Sequence, residues 1–184
     1  MAHNPILIAG GGIGGVTTAL ALALRQIPVI LFEQATEFTD VGAGIQLSPN
    51  CSRVLCALGL TQELAEQGFL PQYALFRHWR SGKIISESSL GKSAEEIFGA
   101  PYYHIHRSDL LNMLVGAAKV QPLIQLKLNS RIESSEETDA GVRVVVNGET
   151  FIGRGLIGAD GIHSKVRENL FGKQSPTFTG NVAW

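Results

Sequence analysis

Three glycines and one acid near the start of the chain have the spacing of a binding site. Gly10, Gly12 and Gly15 form a Gly-x-Gly-x-x-Gly pattern, and Glu33 stands 21 residues beyond Gly12. A glycine at Gly10 permits a tight turn, one at Gly12 lets backbone approach a bound group, and one at Gly15 lets a helix pack closely. Backbone N–H groups at a helix start, with the positive end of its dipole, suit an anionic phosphate. An acid at the position of Glu33 suits the hydroxyls of an adenosine ribose. Together these residue types predict a site for a dinucleotide.

The surrounding elements have the right order to position them. An apolar run from Ile6 to Ala9 precedes the glycines, an apolar stretch from Val16 to Leu24 follows, and Val29 to Phe32 is a second short apolar run. Strand, glycine turn, helix, strand and acid make a βαβ unit. The helix is apolar nearly all round, as a buried helix is, and Pro28 is expected to stop it.

Further along, Gly42 and Gly44 lie in an extended stretch that reads as a positioned loop, followed by Ser48-Pro49, a helix start with Ser48 as N-cap. A second short helix runs from Thr61 to about Gln67. Tyr73 to Trp79 and Lys83 to Ser86 flank the turn residues Ser81-Gly82 as a hairpin, and Ser88 to Gly99 reads as polar and irregular. Arg107 stands at the entrance of another helix, with Ser108 as its expected N-cap. A cation there does not help the helix dipole, so it is either a phosphate contact or a solvated side chain.

Strands are expected over 123–128, 131–135 and 142–146, with Asn147-Gly148 as a hairpin turn into 150–152. A last apolar strand ends in Asp160-Gly161 and turns into a helix carrying Lys165 and Arg167. The carboxyl end of such a strand is a ligand position in open α/β sheets, or else an ordinary junction. Residues 179–184 read as the start of a further strand.

Composition narrows the function classes. Fifteen Lys+Arg against sixteen Asp+Glu leave a net charge of −1, and no basic tract recommends nucleic acid. Cys51 and Cys56, five apart on an expected helix, point to different faces and read as free thiols. The five histidines show no metal-ligand spacing, so no metal is expected. The apolar stretch from Val16 to Leu24 is too short for a bilayer, which takes about 20 residues. A soluble cytoplasmic protein without a membrane partner is the expectation.

Four stretches together resemble the single-component FAD-dependent aromatic hydroxylases: the glycine motif with Glu33, GAGIQLSPN (Gly42 to Asn50), His106-Arg107-Ser108-Asp109-Leu110, and GADGIHSKVR (Gly158 to Arg167). Within that family the chain looks most like salicylate 1-monooxygenases, 3-hydroxybenzoate 6-hydroxylases and 6-hydroxynicotinate 3-monooxygenases. The resemblance implies an α/β fold: a Rossmann-like FAD-binding βαβ domain with part of an antiparallel substrate-domain sheet. It implies an FAD-binding domain over residues 1–70 and 100–175, and portions of a substrate domain over 71–99 and 176–184.

For the cofactor, the resemblance implies that Gly10, Gly12, Ile13, Gly14 and Gly15 lie along the FAD pyrophosphate. Glu33, with Gln34 beside it, would hold the adenosine ribose, and a backbone group near Arg131 or Ile132 would reach the adenine. Gly44, Ile45 and Gln46 would lie near the flavin, Arg107 would contact the phosphate and ribityl region, and Asp160 and Gly161 would serve FAD and NAD(P)H. It implies NADH or NADPH as co-substrate, O2, and a small, salicylate-like aromatic acid as substrate. No catalytic residue is assigned. Gln46 departs from the histidine of the hydroxynicotinate enzymes, which weakens that substrate. Family members also carry a later Gly-Asp motif and more of the substrate sheet, so the chain reads as truncated. An inactive FAD- or nucleotide-binding module and a pyridine-nucleotide dehydrogenase are the alternatives. The oligomeric state stays open, with a homodimer among the choices.

Overall fold

The computed structural model describes residues 4–38 and 42–181. Its elements begin with β1 (Ile6–Ala9), α1 (Ile13–Ala23), β2 (Val29–Phe32), β3 (Gly44–Leu47), α2 (Pro49–Ala57), α3 (Thr61–Gln67), β4 (Tyr73–Arg77) and β5 (Ile84–Ser89). They continue with α4 (Lys92–Phe98), β6 (Tyr103–His106), α5 (Arg107–Lys119), β7 (Ile124–Lys127), β8 (Ile132–Thr138), β9 (Gly141–Val146), β10 (Glu149–Gly153), β11 (Gly155–Gly158) and α6 (Lys165–Phe171). Among the described residues no helix is long and apolar enough to cross a membrane.

The chain divides into two compact units, Met1–Phe38 with Val115–Trp184, and Thr39–Leu114. This is a division by compactness; the functional assignment at 70/71 and 99/100 is a separate matter.

In the first unit four strands form a parallel sheet in the order β11-β1-β2-β7. Successive side chains of a strand point to opposite faces. Leu7, Ala9 and Phe32 on one face join Val144, Val146, Ile132 and Val166 in a buried cluster. That face is covered by the antiparallel meander β10-β9-β8, with Phe32 and Phe151 edge to face at 5.0 Å. The other face packs against α1, which buries Gly15, Val16, Ala19, Leu20 and Ala23. Because both faces are covered, the strands read as continuous apolar runs, and each large side chain buried there contributes about 1.5–3 kcal/mol. At the β9–β10 turn Asn147 and Gly148 both take positive φ (51° and 77°), the conformation for which Asn-Gly is selected.

The second unit holds two antiparallel pairs, β3 with β6 and β4 with β5, beside α2, α3 and α4. Leu47, Leu55, Leu64, Tyr103 and Ile105 are buried there. Ser52 is fully buried and satisfied, its hydroxyl donating to the Pro101 carbonyl at 2.6 Å.

Several local expectations need correction. The first helix ends at Ala23, ahead of Pro28, because Gln26 takes a left-handed conformation (φ 60°). The stretch 88–99 is not irregular: β5 reaches Ser89, and α4 follows, stopped by left-handed Gly99 (φ 70°). Residues 44–47 form a strand, since their partner, β6, comes from far along the chain. The helix after β6 starts at Arg107 itself, so Ser108 lies inside its first turn rather than capping it. Ser48 is the N-cap residue of α2, as expected, but its hydroxyl donates to Asn50 Oδ1 and makes no cap bond to the helix N–H groups. No strand begins at residues 179–181, and 182–184 lie outside the described residues.

Candidate functional site

A cavity of about 270 Å³ opens in the first unit at the carboxyl ends of three neighbouring parallel strands. Its walls come from Gly10 and Gly12 after β1, from Glu33 and Gln34 after β2, and from Asp160 and Gly161 after β11. Ser130, Arg131 and Ile132, at the start of β8, close a further side.

Each glycine of the turn meets a different constraint. Gly10 has φ +102°, and a Cβ there would fall 2.3 Å from the Ala159 carbonyl oxygen. A Cβ on Gly15 would fall 1.9 Å from the Gly10 oxygen, so the helix packs directly on the turn. Gly12, by contrast, has ordinary extended backbone (φ −71°) and nothing within 4 Å of its would-be Cβ. Its missing side chain leaves open space at the cavity wall. Gly12 is also the N-cap of α1, which has no side-chain cap and no acid in its first turn. The first-turn N–H groups of the helix thus have no side-chain acceptor of their own; the nearest acid, Glu33, is bound one residue before the N-cap, at the Gly11 N–H.

Both acids of the cavity are tied to backbone. Glu33 Oε2 accepts from the Gly11 N–H at 2.6 Å and Oε1 from the Ala35 N–H at 2.8 Å. Asp160 Oδ2 accepts from the N–H groups of Lys165 (2.6 Å) and Val166 (3.1 Å), and its Oδ1 accepts from the Ser164 hydroxyl at 2.5 Å. Ser164 in turn caps α6 by accepting from the Arg167 N–H. Asp160 therefore organises the start of α6, which brings Lys165 and, just before it, His163 to the cavity. The Ser130 N–H donates to the Glu33 carbonyl at 2.8 Å, which draws the β7–β8 turn to the end of β2.

Of the sequence-predicted residues, Gly10, Gly12, Glu33, Gln34, Ile132, Asp160 and Gly161 line this cavity. Ile13, Gly14 and Gly15 belong to the first turn of α1 behind it. Gly44, Ile45, Gln46 and Arg107 belong to the second unit. There β3 pairs with β6, and Gln46 Oε1 accepts from the Tyr102 hydroxyl at 2.9 Å. A Cβ on Gly42 would fall 2.7 Å from Arg107 Cβ, so this glycine makes room for the arginine. Ser130, His163 and Lys165 were not anticipated; the only signal for the latter two is their place just after Asp160-Gly161. Away from the cavity, burial raises the pKa of the Cys51 thiol and of the Tyr103 phenol; for Tyr103 the charges of Cys56 and Glu95 add to burial.

Residues 3–183 match the family described as FAD binding domain. The chain belongs to that FAD-binding family. It is 36% identical over 183 residues to 3-hydroxybenzoate 6-hydroxylase 1 of Aquipseudomonas alcaligenes, covering 99% of this chain and 46% of the relative. It is 36% identical over 179 residues to the 6-hydroxynicotinate 3-monooxygenase of Bordetella bronchiseptica, covering 97% and 46% respectively. A solved mutant of 2-methyl-3-hydroxypyridine-5-carboxylic acid oxygenase superposes with a TM-score of 0.78 at 29% identity, over 91% of this chain and 42% of that one. The chain thus spans about half the length of the curated relatives it matches. The cavity's donor set fits FAD: an uncapped helix start and an open Gly12 face a space whose walls also carry Arg131, His163 and Lys165. That balance of groups suits a pyrophosphate.

Proposed function

We propose that this chain carries the FAD-binding part of a monooxygenase that hydroxylates a small, salicylate-like aromatic acid at the expense of NADH or NADPH. The observation that carries the reading is the cavity before α1, where three strand ends meet an uncapped helix start and Gly12 keeps the wall open. The named relatives act on 3-hydroxybenzoate and 6-hydroxynicotinate, aromatic acids with a ring hydroxyl, and salicylate is of the same class.

In this reading Gly10, Gly12 and the amides of Ile13, Gly14 and Gly15 hold the pyrophosphate. Glu33 keeps free lone pairs for the adenosine ribose, because a carboxylate offers about four acceptor sites and two are in use. Gln34 and the Ile132 backbone border the adenine, and Asp160 and Gly161 serve FAD and NAD(P)H. Arg107 and the backbone of Gly44, Ile45 and Gln46 are assigned to the cofactor by the family pattern. When bound, FAD supplies the redox chemistry, passing electrons from NAD(P)H to O2 so that one oxygen atom enters the ring and the other leaves as water. The chain's own groups bind and orient; none of them is assigned a proton transfer.

A second reading is a nucleotide-binding module without turnover. Flavin-loaded protein with NADH or NADPH, O2 and either salicylate, 3-hydroxybenzoate or 6-hydroxynicotinate separates the two. The monooxygenase reading expects substrate-stimulated nucleotide oxidation and a hydroxylated product. Tight flavin binding with no oxidation on any substrate would favour the module.

A further inference from the structure

We infer that Glu33 is a positioning residue whose carboxylate clamps the backbone of Gly11 and so sets the shape of the glycine turn before any nucleotide arrives. This rests on the reading of the cavity as a dinucleotide site but assigns Glu33 a task beyond touching the ribose.

The glycine turn has little else to hold it. Residues 10–12 are three consecutive glycines with no side chains to pack, and Gly10 is in a positive-φ conformation. Glycine carries the largest backbone entropy of any residue, so such a segment keeps one shape only if tied. The Gly10 N–H is bound by the Phe32 carbonyl at 2.8 Å, and the Gly11 N–H by Glu33 Oε2 at 2.6 Å. The other carboxylate oxygen takes the Ala35 N–H, so one side chain joins the turn after β1 to the turn after β2.

The clamp also closes sterically on the same residue. A Cβ on Gly11 would fall 2.6 Å from Phe38 Cε1 and 2.9 Å from Glu33 Cβ. Position 11 is unspecified in the Gly-x-Gly-x-x-Gly pattern; here it is glycine because Glu33 and Phe38 leave no room for a side chain.

The hydrogen-bond chemistry makes the inference separable from ribose recognition. Glu33 accepts from two N–H donors, one on each of its two oxygens. A glutamine has a single acceptor oxygen, so one of the two N–H groups would face its NH2 group. Ribose hydroxyls also lose a charge-assisted acceptor when glutamate becomes glutamine, so a compound without those hydroxyls reports the clamp alone.

The test is calorimetric titration of ADP and of 2′,3′-dideoxy-ADP into the wild-type chain and into Glu33→Gln and Gly11→Ala. Glu33→Gln is expected to weaken the dideoxy compound by about tenfold or more for the lost charge-assisted clamp, and ADP by at least as much. Gly11→Ala, which leaves the carboxylate in place, is expected to weaken both as well, and it carries the test if Glu33→Gln does not fold. If Glu33→Gln weakens ADP while binding of the dideoxy compound stays the same, Glu33 serves the ribose alone and the inference is overturned. Unaltered affinity in Gly11→Ala would overturn it too. A wild-type chain that binds neither compound would instead overturn the dinucleotide reading of the cavity, and this inference with it.

Discussion

Replacing Gly12 by alanine should separate folding from cofactor binding. The backbone at Gly12 (φ −71°, ψ −179°) is open to any L-residue, and no atom lies within 4 Å of the added Cβ. Alanine is a poorer N-cap than glycine by up to about 1 kcal/mol. It also restricts the unfolded chain, which stabilises by about 0.4–1 kcal/mol. These nearly cancel, so the nucleotide-free protein should melt close to the wild type. The methyl group, however, enters the cavity in front of the first amides of α1, where the pyrophosphate is expected. Each charge-assisted hydrogen bond it displaces is worth about 1.5–3 kcal/mol, or roughly tenfold to a hundredfold in Kd. Thermal unfolding without nucleotide, paired with fluorescence titration of FAD, measures both quantities. Gly15→Ala is the control: its Cβ would overlap the Gly10 oxygen at 1.9 Å, so that variant should lose stability first. An unchanged FAD affinity in Gly12→Ala, or a collapse in its melting temperature, would refute the reasoning.

Other consequences are equally direct. Asp160→Ala removes the acceptor of two N–H groups and one hydroxyl at the start of α6, and should cost about 1–2 kcal/mol in urea unfolding, as lost caps do. Arg107→Ala should lower the flavin-to-protein ratio that survives gel filtration, because a charge-assisted phosphate contact is lost; an unchanged ratio would count against its assignment to the cofactor. Burial raises the Cys51 pKa, so at mildly alkaline pH less of it is thiolate than in a free cysteine. Iodoacetamide should therefore label Cys51 slowly, with a rate still climbing at pH values where a free thiol has levelled off. By linkage, the folded state binds this proton more tightly, so the site's contribution to stability is present below the ordinary thiol pKa and declines as pH rises through the raised one.

What could be read from the sequence was what is local. From Ile6 to Glu33 most steps depend on near neighbours: an apolar run buried on both faces, a Gly15 whose Cβ would meet the Gly10 oxygen, and an acid at the end of the next strand. The Asn147-Gly148 hairpin is similarly local, since two consecutive positive-φ positions select those residues. The misses are of two kinds. β3 is a strand only because Gly44–Leu47 finds β6 some sixty residues later, a pairing that no window of sequence contains. Helix α4 buries only Ala94 and leaves Ile97 and Phe98 exposed, and its seven residues are too few for a helical period to stand out; its end is set by left-handed Gly99. The cavity shows the same division. Its glycines and acids were visible as a motif, whereas His163 and Lys165 reach it only because Asp160 gathers the start of α6. That Glu33 spends both oxygens on backbone amides was not visible either, because it depends on the turn after β1 meeting the turn after β2.

The central claim is that the cavity before α1 takes FAD, and the most direct measurement is identification of the nucleotide the protein carries. Protein saturated with a mixture of FAD and NAD, freed of unbound ligand and then heat-denatured, should release FAD at one per chain. A colourless protein that releases NAD, or releases neither, would contradict the account.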